Sequence, residues 1–347
     1  MAGKTAKSLY SNQRKNAHNE LGQGGRQDQK THVFLRRLKH KFTTKSGYQG
    51  IIMTIAMYLL LIGLSFVFLF PFLYMLVTSV MSTTDLNNFA VQWIPSEIKF
   101  ENYFIASNLL NLNRFLPNSL QVTILATFGH VIACSFIGYG FARFNFPFKK
   151  LLFVFVMLAF IVPVQTLIIP LYLTFSSFGW LDTYLPLIVP TFFGFGLRGA
   201  LYVFIFRQFY LTLPRDLENA ARIDGCGFMR TYWQIAFPLA GASLVVVTVL
   251  SVVWHWNDFY EPAIYVYSAV RGFLPPRIRS IVQIVNLPPE QLYERLAALG
   301  LPENDDTINN AVIMSGAAII MAPVLAFFAF AQRKFMQGIE RTGITGE

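Results

Sequence analysis

The sequence predicts an all-α polytopic membrane protein with six transmembrane helices. Three observations predict it. Only 13% of the 347 residues are charged and 54% are hydrophobic, whereas soluble domains carry about 25% charged residues. Six apolar runs are each long enough to cross a hydrocarbon core about 30 Å thick, which takes ~20 helical residues. The Lys and Arg residues gather outside those runs, 11 of the 28 within residues 1–45.

Residues 1–49 are rich in Lys, Arg, Gln, Asn, Gly and Ser. They carry too little apolar surface to fold alone, so a basic, largely disordered tail is expected. Its end, VFLRRLKHKF at 33–42, mixes basic and apolar residues and suits the surface of anionic membrane lipid. The first apolar run, 51–80, is too long for the core of a signal peptide and reads as a retained span. Five more follow at 116–142, 150–173, 184–207, 236–257 and 309–331. Six spans put both termini on one side.

The basic residues say which side. With the tail lie Arg143, Lys149 and Lys150, then Arg207, Arg215, Arg222 and Arg230, then Arg333, Lys334 and Arg341. The opposite side has Lys99 and Arg114, no Lys or Arg in the connection 174–183, and four arginines in a long loop at 268–308. Long loops weigh little in the positive-inside rule, so the termini are expected in the cytoplasm of a bacterial cell membrane. The long loop, with a short helix expected at 289–298, reads as a folded extracellular element or a solvated connector.

Several function classes lose support. The net charge of +10 is explained by cationic flanks of spans, so no nucleic-acid partner is expected. Cys134 and Cys226 offer neither a disulfide framework nor metal-ligand spacing, and no metal is expected. AGKT at 2–5 lacks the upstream glycine of a phosphate-binding loop. An ion-coupled secondary transporter would want carboxylates inside its spans, and Asp182, Asp258 and Glu261 lie at span ends. No acid, base and nucleophile converge, so no catalytic residues are assigned.

One polar stretch interrupts the pattern: LENAARIDGCGFMRTYWQIAFPL, residues 217–239. Pro214 suits a first helical turn, and Asp216 and Glu218 complement the positive end of a helix dipole. A helix is expected over 214–224, with Leu217, Ala220, Ala221 and Asp224 on one narrow face of small residues. Gly225 and Gly227 can take positive φ and stop it. A second short helix at 228–235 would present Phe228, Tyr232 and Ile235 before Pro238 opens the fifth span. Periodicity leaves two readings open, a docking element or an amphipathic connector on lipid.

This stretch resembles the EAA motif of ABC-importer permease subunits: Glu-Ala-Ala, three residues, Gly, nine residues, Ile-x-Leu-Pro. Here Asn219, Ala220 and Ala221 are followed by Arg222, Ile223 and Asp224, then Gly225, nine residues, and Ile235-Ala236-Phe237-Pro238. Asn219 replaces the motif's Glu, with Glu218 directly adjacent, and Phe237 replaces its Leu. The resemblance covers about residues 50–345 and is closest to the maltose-type carbohydrate permeases. FRQF at 206–209, WND at 256–258 and QRKF at 332–335 with Gly338 support it.

The resemblance implies a type I ABC importer permease fold and a non-catalytic subunit. It implies pairing with a second homologous permease and a cytoplasmic ABC ATPase dimer, with a sugar or oligosaccharide delivered by an extracellular or periplasmic solute-binding protein. A non-sugar polar solute is the alternative. ATP would be bound by the partner ATPase, with no cofactor on this chain. Residues 212–235 would form the cytoplasmic coupling segment, with Glu218, Asn219, Ala220, Ala221, Asp224, Gly225, Ile235 and Pro238 as its ATPase-coupling residues.

Polar residues in or beside the spans are solute-pathway candidates. Arg198 would cost about 2.5–3.5 kcal/mol in lipid, so it faces protein or water, pairs internally, or snorkels. Gln165, between Pro163 and Pro170, either lines an interrupted helix or bonds a neighbouring helix, and His130 reads as helix packing. Trp256, Asn257 and Asp258, with Trp254 and Tyr260, suit sugar stacking and hydroxyl binding or a membrane interface. Gly194, Gly196, Gly199 and Ala200 suit close span packing.

Overall fold

The computed structural model describes residues 51–88, 93–301 and 308–341. The tail expected at 1–49 lies outside them. The chain divides into two compact units, one up to Leu73 and one from Tyr74 onward. In the first, residues 51–73 form most of α1 (Ile51–Ser79), an apolar helix with its side chains largely exposed. Such a surface is stable only in a medium as apolar as itself.

Among its described residues, the second unit has helices as its only regular elements. It contains α2 (Thr83–Asn87), α3 (Glu101–Leu110), α4 (Leu112–Arg143), α5 (Lys149–Ile161), α6 (Val164–Ser177) and α7 (Leu185–Ile188). Then come a 3-10 turn at Val189–Phe193, α8 (Gly199–Thr212), α9 (Arg215–Ile223), α10 (Phe228–Thr231), a π-helical turn at Tyr232–Ala236, and α11 (Phe237–Leu239). The unit closes with α12 (Gly241–Asn257), α13 (Tyr260–Tyr265), α14 (Ile278–Val285), α15 (Pro289–Ala298) and α16 (Asn310–Arg341). The helix expected at 289–298 is α15.

The expected count of six spans is not confirmed by helix length and composition. Among the described residues three helices are long and apolar enough to cross a membrane, within α1, α4 and α16. There are five spans if two bent pairs count as one each: α5 with α6, bent by 101°, and residues 228–239 with α12, bent by 75°. The run at 184–207 is not a continuous helix. Pro186 and Pro190 each remove a backbone donor, and Gly194, Gly196 and Arg198 take positive φ, so the chain breaks between Phe193 and Gly199. Apolar composition permitted a span there; backbone chemistry divided it.

Two apolar cores hold the second unit. One joins α4, α8, the π turn and α12 through Cys134, Tyr139, Tyr202, Phe206, Tyr210, Tyr232 and Val247. At Gly138 an added Cβ would lie 2.7 Å from Phe206 Cβ and 2.9 Å from Arg207 N, so α4 and α8 approach to backbone contact, as small residues allow. The other core joins α3, α12, α14, α15 and α16 through Ile105, Leu110, Trp256, Leu274, Ile281, Leu296 and Val312. Ser79 O, at the end of α1, accepts from Asn102 Nδ2 (3.0 Å) and Ser315 Oγ (2.9 Å). The Ser79 carbonyl, Asn102 and Ser315 are thus paired on burial, as their desolvation requires.

Candidate functional site

The segment 212–235 folds as two short helices with a turn between them. α9 ends in a Schellman arrangement: Gly225, at φ 76°, donates to Arg222 O (3.0 Å) and Cys226 N donates to Ala221 O (2.8 Å). A side chain at 225 would meet no neighbour, so the glycine is required by its left-handed backbone rather than by space. Pro238 lacks the N–H that an α-helix would use there. The ladder is looser just ahead of it: Phe237 N bonds Tyr232 O, five residues back. This π-type turn joins the segment to α12.

The faces of α9 differ from expectation. Glu218 and Ala221 are buried, one turn apart. Leu217, Ala220, Ile223 and Asp224 are exposed, as is Asn219. Ala221 therefore belongs to the packed side and Ile223, 86% exposed, to the outer one. The tertiary partner of Glu218 decides this rotation.

That partner is Arg143, the last residue of α4. Its Nε lies 2.7 Å from Glu218 Oε1, with the two side chains 4% and 8% exposed, and its Nη2 donates to Leu213 O at 2.7 Å. The guanidinium also complements the negative end of the α4 dipole. Nearby, Tyr232 OH donates to Ser135 Oγ (3.0 Å), which shares a hydrogen bond of 2.7 Å with Tyr210 OH. Phe228 stacks on Tyr139 at 5.7 Å and meets Phe144 edge-on at 4.7 Å. The segment 212–235 is thus held against α4 and α8 by an ion pair, a hydroxyl chain and ring contacts. From the sequence Arg143 reads only as a positive-inside residue; the signal pointing further is a lone cation closing a span.

The solute-pathway candidates separate. Trp256 is buried and its Nε1 donates to Ile320 O at 3.1 Å. Asn257 bonds Val253 O in its own helix (2.8 Å). Asp258 Oδ1 accepts from Tyr260 N (2.9 Å) at the start of α13. Asn257 and Asp258 carry local structural bonds, and Trp256 ties α12 to α16. Gln165 and Arg198 instead sit exposed beside the two helix breaks. Arg198 lies with its guanidinium carbon 4.2 Å from the Trp254 ring centre and 5.9 Å from that of Phe160. Trp254 and Trp256 thus serve opposite sides of α12.

His130 is buried, with Nε2 3.3 Å from Phe195 O and its ring 5.1 Å from those of Tyr202 and His255. Gly194 fits against Ile137 of α4. A small, partly open cleft is lined by Ser119, Thr123, Thr191, His255, Asp258 and Glu261 among others. Burial, reinforced by the Asp258 carboxylate, raises Glu261 to about 8. Among the described residues no three His, Cys, Asp or Glu gather as metal ligands.

Comparison with known proteins places this geometry. Residues 131–341 match the family model described as binding-protein-dependent transport system inner membrane component. The chain is 27% identical over 295 residues to the arabinooligosaccharides transport system permease protein AraQ of Halalkalibacterium halodurans, covering 83% of this chain and 96% of that protein. It is 26% identical to the sn-glycerol-3-phosphate transport system permease protein UgpE of Yersinia enterocolitica, covering 81% and 93%. It is 32% identical over 202 residues to a probable ABC transporter permease protein of Pyrococcus horikoshii, covering 58% and 72%. A crystal structure of a bacterial ABC transporter involved in import of the acidic polysaccharide alginate shares the fold, with a TM-score of 0.69, 18% identity, and coverage of 85% and 99%. The chain belongs to the binding-protein-dependent transport system inner membrane components, the multi-pass permease subunits of ABC importers.

Proposed function

We propose that this chain is one of two permeases of an ATP-driven importer for a saccharide, and that residues 212–235 dock into a cytoplasmic ATPase. The carrying observation is the division of α9. One face is bonded into the membrane unit through Arg143–Glu218, while Leu217, Ala220, Ile223 and Asp224 are exposed on the surface of the chain. A short helix fixed on one side and open on the other can pass a push from an attached subunit to α4 and α8, which a two-state pathway requires.

Saccharide as solute is supported by relatives named for arabinooligosaccharide transport. In this reading both termini and the coupling segment are cytoplasmic, ATP stays on the ATPase pair, and an external binding protein delivers the sugar to the outer loop 268–308. The test is affinity purification of the tagged chain from its native membrane in mild detergent. A second permease and an ATPase with phosphate-binding loops are expected to co-purify. Recovery alone or as a homo-oligomer would overturn the proposal.

A further inference from the structure

We infer that Arg198, backed by Trp254 at the break ahead of α8, contacts an acidic group, carboxylate or phosphate, on the solute; this rests on the importer reading above. The first step is depth. α8 has 14 residues, so Arg198 lies about 21 Å from the end of α8 that leads into the coupling segment. Trp254 stands at the fourteenth residue of α12 and Phe160 at the twelfth of α5, which puts them about 20 and 17 Å along helices starting at that same end. With those helix ends at the cytoplasmic edge, as the importer reading has them, all three side chains meet inside a core about 30 Å thick.

The second step is exposure. At this depth the backbone from Gly194 to Arg198 is not helical, and Phe193, Phe195, Gly196 and Arg198 are exposed. Irregular backbone facing lipid leaves polar groups without partners, so this face lines water or protein instead. The break at Val162–Pro163, between α5 and α6, adds a second interrupted helix, the arrangement from which membrane solute sites are built.

The third step is charge. Among the described residues the ion pairs are Lys99–Glu97, Arg143–Glu218 and Arg271–Asp182, and Arg198 is in none of them. Its guanidinium lies over an indole that is itself 39% exposed, which holds the cation in place while leaving its fork of N–H donors free. No side chain caps the α8 N-terminus beside it, so helix dipole and guanidinium present the same sign. A planar five-donor cation at low dielectric selects carboxylate or phosphate over a neutral hydroxyl.

The test works before the solute is identified. In the full importer, Phe195→Cys is introduced with Cys226→Ser, and the thiol is reacted with a methanethiosulfonate carrying a sulfonate and with one carrying a trimethylammonium group. The sulfonate reagent is expected to react faster by about tenfold, a ratio falling to about one in Arg198→Gln and largely kept in Arg198→Lys. An unreactive thiol, or a ratio unchanged in Arg198→Gln, overturns the inference: the first means the face is sealed, the second that a partner acid neutralises the charge. Mass spectrometry of the solute released from the companion binding protein adds a second readout, and a neutral sugar there also overturns it. Either failure with permease and ATPase still co-purifying leaves the importer reading standing.

Discussion

Arg143 and Arg198 are both arginines at the ends of membrane helices, and their surroundings are opposite. Arg143 is sealed between Glu218 and the Leu213 carbonyl. Arg198 lies exposed on an aromatic ring with no acid among the described residues. A buried cation paired with an acid holds elements together, whereas one without an acid inside a membrane calls for a counter-charge from elsewhere. On the proposals above, the first region would transmit and the second would receive.

The largest expected effect breaks the sealed region. Arg143→Ala leaves Glu218 buried without its partner, a cost of about 3–5 kcal/mol. A loss of folded permease is expected by thermal unfolding in detergent, with recovery in the exchanged pair Arg143→Glu, Glu218→Arg. If Arg143→Ala unfolds at the wild-type temperature, the clamp is not structural.

Next, Ala221→Glu and Ala220→Glu sharpen the division of α9. The first forces a carboxylate into the packed face and should destabilise the protein by several kcal/mol, of the order of 2–5. The second should stay within about 0.5 kcal/mol of wild type while abolishing solute-stimulated ATP hydrolysis in the assembled importer. Equal stability of the two variants would show that α9 is rotated from the orientation described.

A smaller effect concerns Tyr232→Phe, which removes the donor to Ser135 and should cost about 1 kcal/mol, read from the denaturation midpoint. A separate handle is pH. The native state raises Glu261 to about 8 from 4.5, so it holds a proton that the unfolded chain releases. Stability from this group is complete below about 4.5 and is lost as pH rises through about 8. The unfolding temperature is expected to fall across that window, and Glu261→Gln should flatten the fall.

Much of this is legible in the sequence, because the signals are local. The α9 helix, its glycine stop and the proline that follows are written in Pro214, Gly225 and Pro238, whose backbone preferences act without neighbours. The break in the run 184–207 is legible too in Pro186, Pro190 and Gly194, but hydropathy outweighs them and the run reads as a span. The exposed face of α9 differs from the expected one by one residue, Ile223 in place of Ala221. Spacing alone groups Leu217, Ala220, Ala221 and Asp224, and cannot say which side of that group turns inward.

The sequence by itself determined an apolar chain that must live in a bilayer, the order of its helices, and a polar segment with the spacing of a docking motif. Those follow from composition and from steric rules that act over a few residues. The tertiary structure alone decided that Glu218 rather than Asn219 meets a cation, that Trp254 and Trp256 part to opposite sides, and that Arg198 stays open while Arg143 is closed. Each depends on which distant helix lies within a few ångströms, and ion pairing, desolvation and ring contact act only at that range.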